Sequence, residues 1–324
     1  MHSTSPPRTE PADLGGGSPA PRHPRLRRVV AWAGILILIS VVAAGLTYRR
    51  QIASLLTHRK GAPTETWPVA PFTTTPDVRI AAVGDVGEGE EEEWRTANAI
   101  DMLAQERPYD ALLLLGDNVY PSGDPDRLDE TVFEPFGMVL RDSTELLAIL
   151  GNHDVAGGQG LEQIRRLGMP GPWWTVAIGD VRIIGLDSNR PRDPEQLDFL
   201  ERTLASATET WKVVAVHEPP YSSGYQGSNL EVRETMVPLF RRYGVQLVLS
   251  GHEHDYQRTE VIDGVTYVIS GAGGRTRGTG EEPFTAASWS VLSFVDVSVF
   301  PDRLVVRAVT QDPEVFDEVV IPAT

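Results

Sequence analysis

The sequence contains no cysteine. Disulfides, thiolate nucleophiles and cysteine-ligated zinc are thereby excluded. Histidine is scarce, seven residues in 324. Basic residues are thinly and unevenly placed. Residues 1–76 hold nine Lys or Arg against three acids, whereas the rest of the chain holds twenty against forty-two, about 22 negative charges in surplus. Such a surface repels phosphate backbones, so nucleic acid is not an expected partner.

Long apolar runs are also missing, with one exception. Val29 to Thr47, "VVAWAGILILISVVAAGLT", is nineteen residues without a charge. At roughly 1.5 Å per residue a helix of that length about spans the ~30 Å hydrocarbon core. It follows "RHPRLRR" and a Pro/Gly/Ser-rich stretch, with nothing near it in sequence to bury it. Residues 29–48 therefore read as a transmembrane helix or signal anchor, or alternatively as a signal peptide cleaved after the small residues of "VVAAG". Arg22, Arg25, Arg27 and Arg28 precede the run, and Arg49, Arg50, Arg59 and Lys60 follow it, so flanking charge does not set the orientation. A short leader with one early span most commonly leaves the bulk of the chain outside the cell membrane. Residues 1–28 have the composition of a disordered basic tail. Residues 49–76, ending in "GAPTETWPVAPFTTTP", read as a Pro/Thr-rich linker, and residues 77–324 as the globular domain.

Within that domain strands and helices alternate. "VRIAAV", "DALLLL", "ELLAIL", "VRIIGLD", "WKVVAV", "VQLVLS" and "VTYVIS" are β-rich apolar runs, each closed by a short polar or glycine-rich turn. "EEEWRTANAIDMLAQER", with Trp94, Ile100 and Leu103 among its apolar positions, "PEQLDFLERTLASA", with Leu197, Leu200 and Leu204 on one face, and "EVRETMVPLFRRY" read as helices. "WSVLSFVDVSVF", "DRLVVRAV" and "EVVIP" read as later strands at the edge of the fold. The pattern is α/β, a class in which sites gather beyond the strand ends.

The polar residues at those ends are Asp85, Asp117, Asn152, His153, His217, His252 and His254. All four histidines of the domain fall in these turns, which chance placement of structural histidines does not explain. Oxygen and imidazole donors without thiolate suit iron, zinc or manganese. Two carboxylates, several imidazoles and an amide carbonyl exceed the needs of one ion but suit two ions sharing a carboxylate. Two metals about 3.5–4 Å apart are the arrangement used for in-line displacement at phosphorus.

The ordered set "GDVG", "GDNVY", "GNHD", "VAVHEPPY" and "GHEH", running from about Val78 to Gly274, resembles the calcineurin-like metallophosphoesterases. Within them it is most similar to the purple acid phosphatase branch, the tartrate-resistant type included. The resemblance implies a four-layer α/β/β/α sandwich with two mixed sheets and a dinuclear site at the strand ends. It assigns Asp85, Tyr120 and His254 to a first metal, Asn152, His217 and His252 to a second, and Asp117 as the bridge. Many relatives place a histidine two residues after the first aspartate, where this chain has Gly87. The purple branch supplies a tyrosine phenolate instead, here Tyr120, which otherwise reads as a packing residue beside Pro121. A free phenol ionises only near pH 10, so the resemblance implies ferric iron at the Tyr120 site, with ferrous iron, zinc or manganese at the second. The implied reaction is hydrolysis of a phosphate monoester by a metal-bound hydroxide. His153 would face the substrate, and Asn118 and Asp154 would support from behind or, for Asn118, touch the ester. The alternatives are a phosphodiesterase acting on nucleotides or lipid head groups through the same site, and a non-catalytic binding domain.

Purple phosphatases usually carry another histidine after the "H-x-P" motif to protonate the leaving group. Here "HEPPYSSGYQGSN" has Gln226 in that neighbourhood, which leaves His153, Glu218 or water for the role. Two further stretches stay open. "GEGEEEE" either repels polyanionic substrates or is a charged helix start. Arg275 and Arg277 after "GAGG" either serve a phosphate or decorate a surface loop.

Overall fold

The structure is a computed structural model that describes residues 61–141 and 143–323. The tail, the apolar run at 29–48 and the linker as far as residue 60 lie outside the described residues. Among the described residues no helix is long and apolar enough to cross a membrane.

Two seven-stranded sheets form the domain. In chain order the strands are β1 (Trp67–Pro68), β2 (Val78–Val83), β3 (Ala111–Leu114), β4 (Glu145–Ala148), β5 (Trp174–Ile178), β6 (Val181–Leu186) and β7 (Trp211–Val216), then β8 (Leu247–Ser250), β9 (Tyr256–Thr259), β10 (Thr266–Ser270), β11 (Thr285–Trp289), β12 (Ser293–Val299), β13 (Arg303–Thr310) and β14 (Glu314–Pro322). The first sheet runs β1-β14-β13-β12-β2-β3-β4 and the second β11-β9-β10-β8-β7-β6-β5. Both are mixed. β2, β3 and β4 pair in parallel, as do β6, β7, β8 and β10, while the flanking strands are antiparallel.

Strand periodicity explains the layering. Along β2, Val78, Ile80 and Ala82 join a core shared by the two sheets, whereas Ala81 and Val83 turn to the opposite face. That face is covered by the helix Glu91–Glu106 through Ala97, Ile100 and Leu103. The outer face of the second sheet is covered by the helices Pro194–Ser206, Leu230–Thr235 and Val237–Arg242 through Leu200, Leu204, Val232 and Phe240. Because both faces of each sheet are buried, the parallel strands read as continuous apolar runs rather than as alternation.

Several local expectations need adjustment. Trp94, counted among the apolar positions of its helix, is 38% exposed. The stretch "EVRETMVPLFRRY" is two helices rather than one, interrupted at Met236 ahead of Pro238, whose ring cannot donate to a continuing helix. "WSVLSFVDVSVF" is divided between β11 and β12. The end of the linker is tied to the domain: Trp67 and Pro68 pair with Val315 and Glu314, Phe72 packs edge-on against Phe300, and Arg307 lies 3.8 Å from the Phe72 ring centroid.

Candidate metal centre

The carboxyl ends of the parallel strands in both sheets open onto one edge, and the predicted ligands follow those ends. Asp85 comes after β2, Asp117 after β3, Asn152 after β4, His217 directly after β7, and His252 and His254 after β8. Three of these residues, Asp85, Asp117 and His252, hold positive φ angles of 59°, 53° and 70°. Non-glycine residues rarely accept that conformation, and such strain concentrates where a site demands it.

The side chains converge in two groups. The Tyr120 hydroxyl stands 3.1 Å from both Asp85 Oδ1 and Asp117 Oδ2, and 3.2 Å from His254 Nε2. His217 Nε2 stands 3.3 Å from Asn152 Oδ1 and 3.4 Å from Asp117 Oδ1, with the His252 ring packed edge-on at 5.2 Å between centroids. Asp117 thus reaches both groups, one oxygen to each. Asp85, Asp117 and His217 offer ligand atoms all within 4.8 Å of one another. The structure brings all seven predicted ligand residues to this one place.

The donor set fits cations. Around Tyr120 a single hydroxyl proton faces two carboxylate oxygens and an imidazole nitrogen, so acceptors outnumber donors in a buried cluster. His254 Nδ1 is buried without a hydrogen-bond partner among the described residues. His217 Nδ1 lies 2.8 Å from the Leu115 carbonyl. A carbonyl only accepts, so Nδ1 carries a proton, which leaves Nε2, facing Asn152 and Asp117, as the nitrogen that a metal would take.

Without a cation, the same carboxylates hold protons on His217 and Tyr120. Burial alone would lower His217, but the Asp117 charge and hydrogen bond outweigh it and raise the imidazole to about 10. Burial alone would raise Asp117, yet His217 and the His153 backbone N–H hold it well below the usual carboxylate range. Burial and the neighbouring His217 charge push His252 down to about 4. Burial, then the charges of Asp85 and Asp117, lift the Tyr120 phenol far above its ordinary value. Protein groups alone therefore keep that phenol protonated, and ionising it takes a cation.

A second layer sets these positions. Asp154 is fully buried, and its carboxylate accepts from the backbone N–H groups of Asn118, Val119 and Gly151, joining the turn of Asp117 to that of Asn152. Asn118, expected among substrate contacts, is fully buried, and its amide donates to Ile149 O and Asp154. It is placed to hold the turn rather than to meet a ligand. Glu218 Oε2 accepts from the Asn229 amide at 2.6 Å. His153 Nδ1 lies 2.7 Å from Pro121 O, which fixes the proton there and leaves Nε2 for a ligand. Gln226 lies on a loop fastened to the metal turn, because Ser222 Oγ and Gly227 N both donate to Glu253, the residue between His252 and His254.

Two contributors escaped sequence reading. Asn189, following β6, donates to the Gly151 carbonyl at 3.2 Å; the "GLDSN" turn shared the strand-end signal but lacked a histidine. Arg127 donates to the carbonyls of Tyr120 and Glu88, and no local pattern marks it.

Comparison with known proteins agrees with this geometry. The calcineurin-like phosphoesterase family (Metallophos) matches residues 78–256. Human tartrate-resistant acid phosphatase type 5 is 32% identical over 239 residues, 61% of this chain and 74% of that protein. A purple acid phosphatase from yellow lupin superposes with a TM-score of 0.68 at 20% identity, over 78% of this chain and 55% of that one. GAP50, described as the anchor in the inner membrane complex of Plasmodium, superposes with the same TM-score of 0.68 at 18% identity, over 76% of this chain and 89% of that one. At such identities the two structural likenesses speak for the fold alone. With the family match over more than half the chain, the conclusion is that this protein belongs to the calcineurin-like phosphoesterase family and is a metal-dependent phosphoric ester hydrolase with purple acid phosphatase-like homologues.

Proposed function

We propose that the protein is a phosphomonoesterase of the purple acid phosphatase type. It would hold ferric iron between Asp85, Tyr120 and His254, and ferrous iron, zinc or manganese between Asn152, His217 and His252, with Asp117 shared. The observation that carries this reading is the Tyr120 hydroxyl set among Asp85, Asp117 and His254 at 3.1–3.2 Å. A phenol placed there ionises only beside a strong Lewis acid. The name of the 32%-identical human relative, an acid phosphatase, supports the monoester over the diester.

When bound, the ions neutralise phosphate charge and lower the pKa of a water. The chain's own residues do the rest. Asp117 ties the two halves of the cluster together, and Asp154 fixes the turns that present it. His153 presents Nε2 beside Tyr120, their rings 4.7 Å apart between centroids, and with both ring nitrogens protonated it would donate from Nε2 to the phosphoryl group. In the balanced reaction the water oxygen ends on phosphorus, the ester P–O bond breaks, and a proton ends on the leaving oxygen. Glu218 already accepts from Asn229, so His153 is the better placed of the two to hold that proton.

Residues 29–48 would anchor the chain in the cell membrane with the catalytic domain outside, or be removed to release it. The deciding experiment is metal analysis of the purified full chain with a panel of aryl monoesters and diesters. Two metals including iron, with kcat/KM for monoesters at least about tenfold above diesters, are expected. A preference for diesters would overturn the substrate assignment, and a C-terminal reporter active only in the cytoplasm would overturn the topology.

A further inference from the structure

The loop after β10, Gly271 to Gly274 and then Arg275 and Arg277, supplies no metal ligand, yet it is stitched to the turns that do. Gly273 N donates to Gly84 O at 3.2 Å, Gly274 N to Asp85 O at 3.2 Å, and Arg277 N to His254 O at 2.7 Å. A side chain at Gly273 would put its Cβ 2.6 Å from Val83 and Val86. The close approach of this loop to the Asp85 turn therefore requires glycine there. Its two arginines are positioned by the same backbone that positions the ligands.

They line a recess of about 330 Å³ with Tyr120, Pro121 and His153 on its walls. Arg127 also lines it, but Arg127 is spent on the carbonyls of Tyr120 and Glu88 and on Glu130. The Arg275 guanidinium lies 5.0 Å from the Tyr120 ring centroid, and its side chain is 45% exposed. It pairs with Glu88, the one carboxylate among the described residues lining the recess, while the charge of Arg277 also acts on Glu253. Burial and the charge of Arg277 both act against the Arg275 cation. Two guanidiniums held together, in a domain with forty-two acids to twenty bases, mark a local reversal of charge. Such a reversal beside a reaction centre attracts and orients an anion.

On the phosphoesterase reading, the reacting phosphoryl would sit at the hydroxyl end of Tyr120, where Asp85, Asp117 and His254 converge. The recess over the face of that ring has room for further atoms of the ester. We infer that it is a second-anion subsite: the substrate is a small phosphate monoester bearing a further phosphate or carboxylate, which Arg275 and Arg277 hold. The inference rests on the phosphoesterase reading above, and it adds the substrate class. Glu88 limits the subsite to one further anionic group, since a longer polyanion would meet that carboxylate and the acids that follow it.

The test uses the full-length, metal-loaded protein and matched esters. 3-Carboxyphenyl phosphate and its neutral isostere 3-carbamoylphenyl phosphate differ in one charge. The wild type should favour the carboxylate by about 10- to 100-fold in kcat/KM, the scale of one or two charge-assisted hydrogen bonds. In Arg275→Ala/Arg277→Ala the ratio should collapse toward one, and Arg275→Lys/Arg277→Lys should restore part of it. Metal content and circular dichroism confirm that each variant is folded and loaded. A wild-type ratio near one would overturn the inference. So would an equal loss on both esters in the alanine variant, because the arginines would then serve the reacting phosphoryl. Calorimetric titration decides the subsite without turnover: methylenebisphosphonate should bind at least about tenfold tighter than methylphosphonate, and the alanine variant should lose that margin. If no ester is hydrolysed, the phosphatase reading fails while this titration still judges the subsite, and equal affinities would refute it.

Discussion

Gly251→Ala places one methyl group against ligands of both halves of the cluster. Gly251 precedes His252, and its own N–H donates to the His217 carbonyl at 3.1 Å. An alanine Cβ would fall 2.6 Å from Asp85 Oδ2, 2.9 Å from the Leu115 carbonyl and 3.1 Å from His217 Nδ1. Ordinary contact begins at 3.4 Å, so the Asp85 oxygen must retreat by 0.8 Å. It is not free to do so, because the same oxygen accepts from His252 N at 2.8 Å. His217 is likewise held, Nδ1 to Leu115 O at 2.8 Å. A misplacement of about 1 Å at a reacting centre costs on the order of 10²-fold in rate, and overpacking a dense interior costs about 1–3 kcal/mol. Gly251→Ala should therefore stay folded with a modestly lower melting temperature and lose about 10²-fold in kcat/KM on an aryl phosphate, with reduced metal content. Gly171→Ala is the control, because its Cβ would meet nothing nearer than 3.8 Å and both properties should be kept. Turnover within about threefold of wild type in Gly251→Ala, with two metals bound, would refute the placement of Asp85 and His217 in one metal cluster.

Other outcomes follow from the same geometry. Loaded with ferric iron, the protein should absorb visible light by phenolate-to-iron charge transfer, and Tyr120→Phe should abolish the band while the fold persists; an unchanged band would remove Tyr120 from the ligand set. His217→Ala should cost at least about 10²-fold in turnover, the scale of lost transition-state charge stabilisation, and equilibrium dialysis should show weaker binding of one metal. If Gln226, in the neighbourhood where the family resemblance implies a proton-donating histidine, leaves no full general acid, rates on aryl esters should fall steeply as the leaving-group pKa rises, since general acid catalysis contributes about 10²–10⁴-fold; a flat dependence would show that His153 or Glu218 supplies the proton in full. Burial raises Glu93 to about 9 from an unfolded value of 4.5, outweighing its hydrogen bond from Gly89 N–H. The folded chain then keeps a proton that the unfolded chain releases, so the contribution of Glu93 to stability is full below pH 4.5 and is lost as pH climbs toward 9, by up to about 1.4 kcal/mol per pH unit. Glu93→Gln should flatten the melting temperature between pH 5 and 8, and parallel curves for the two proteins would contradict the buried charge.

Local chemistry already written along the chain determined most of the strands, their polar ends and the candidate ligand residues that converge there. "VRIAAV" and "WKVVAV" coincide with β2 and β7, because β-rich apolar runs bounded by turn residues leave a short stretch little alternative once both faces are buried. Strand ends were legible because each turn carries a residue too polar for a core: Asp85, Asp117, Asn152, His217 or His252. Several short strands at or near the sheet edges were not. Tyr256–Thr259 and Trp174–Ile178 form only because a paired neighbour completes their hydrogen bonds, and Trp67–Pro68 is a strand solely through its pairing with β14. Trp94 shows that an apolar residue in a helix is not by that fact a buried one. The tertiary structure alone decided which turns meet. Asp85 and His254 are far apart in sequence and belong to different sheets, yet their side chains approach to 3.3 Å. It likewise decided that Asn118 turns inward to Asp154 and that Arg275, though exposed, stands beside the Tyr120 ring. Those facts depend on how the two sheets pack across a shared core. Such packing is the sum of many non-local contacts, and no stretch of sequence short enough to carry a pattern contains it.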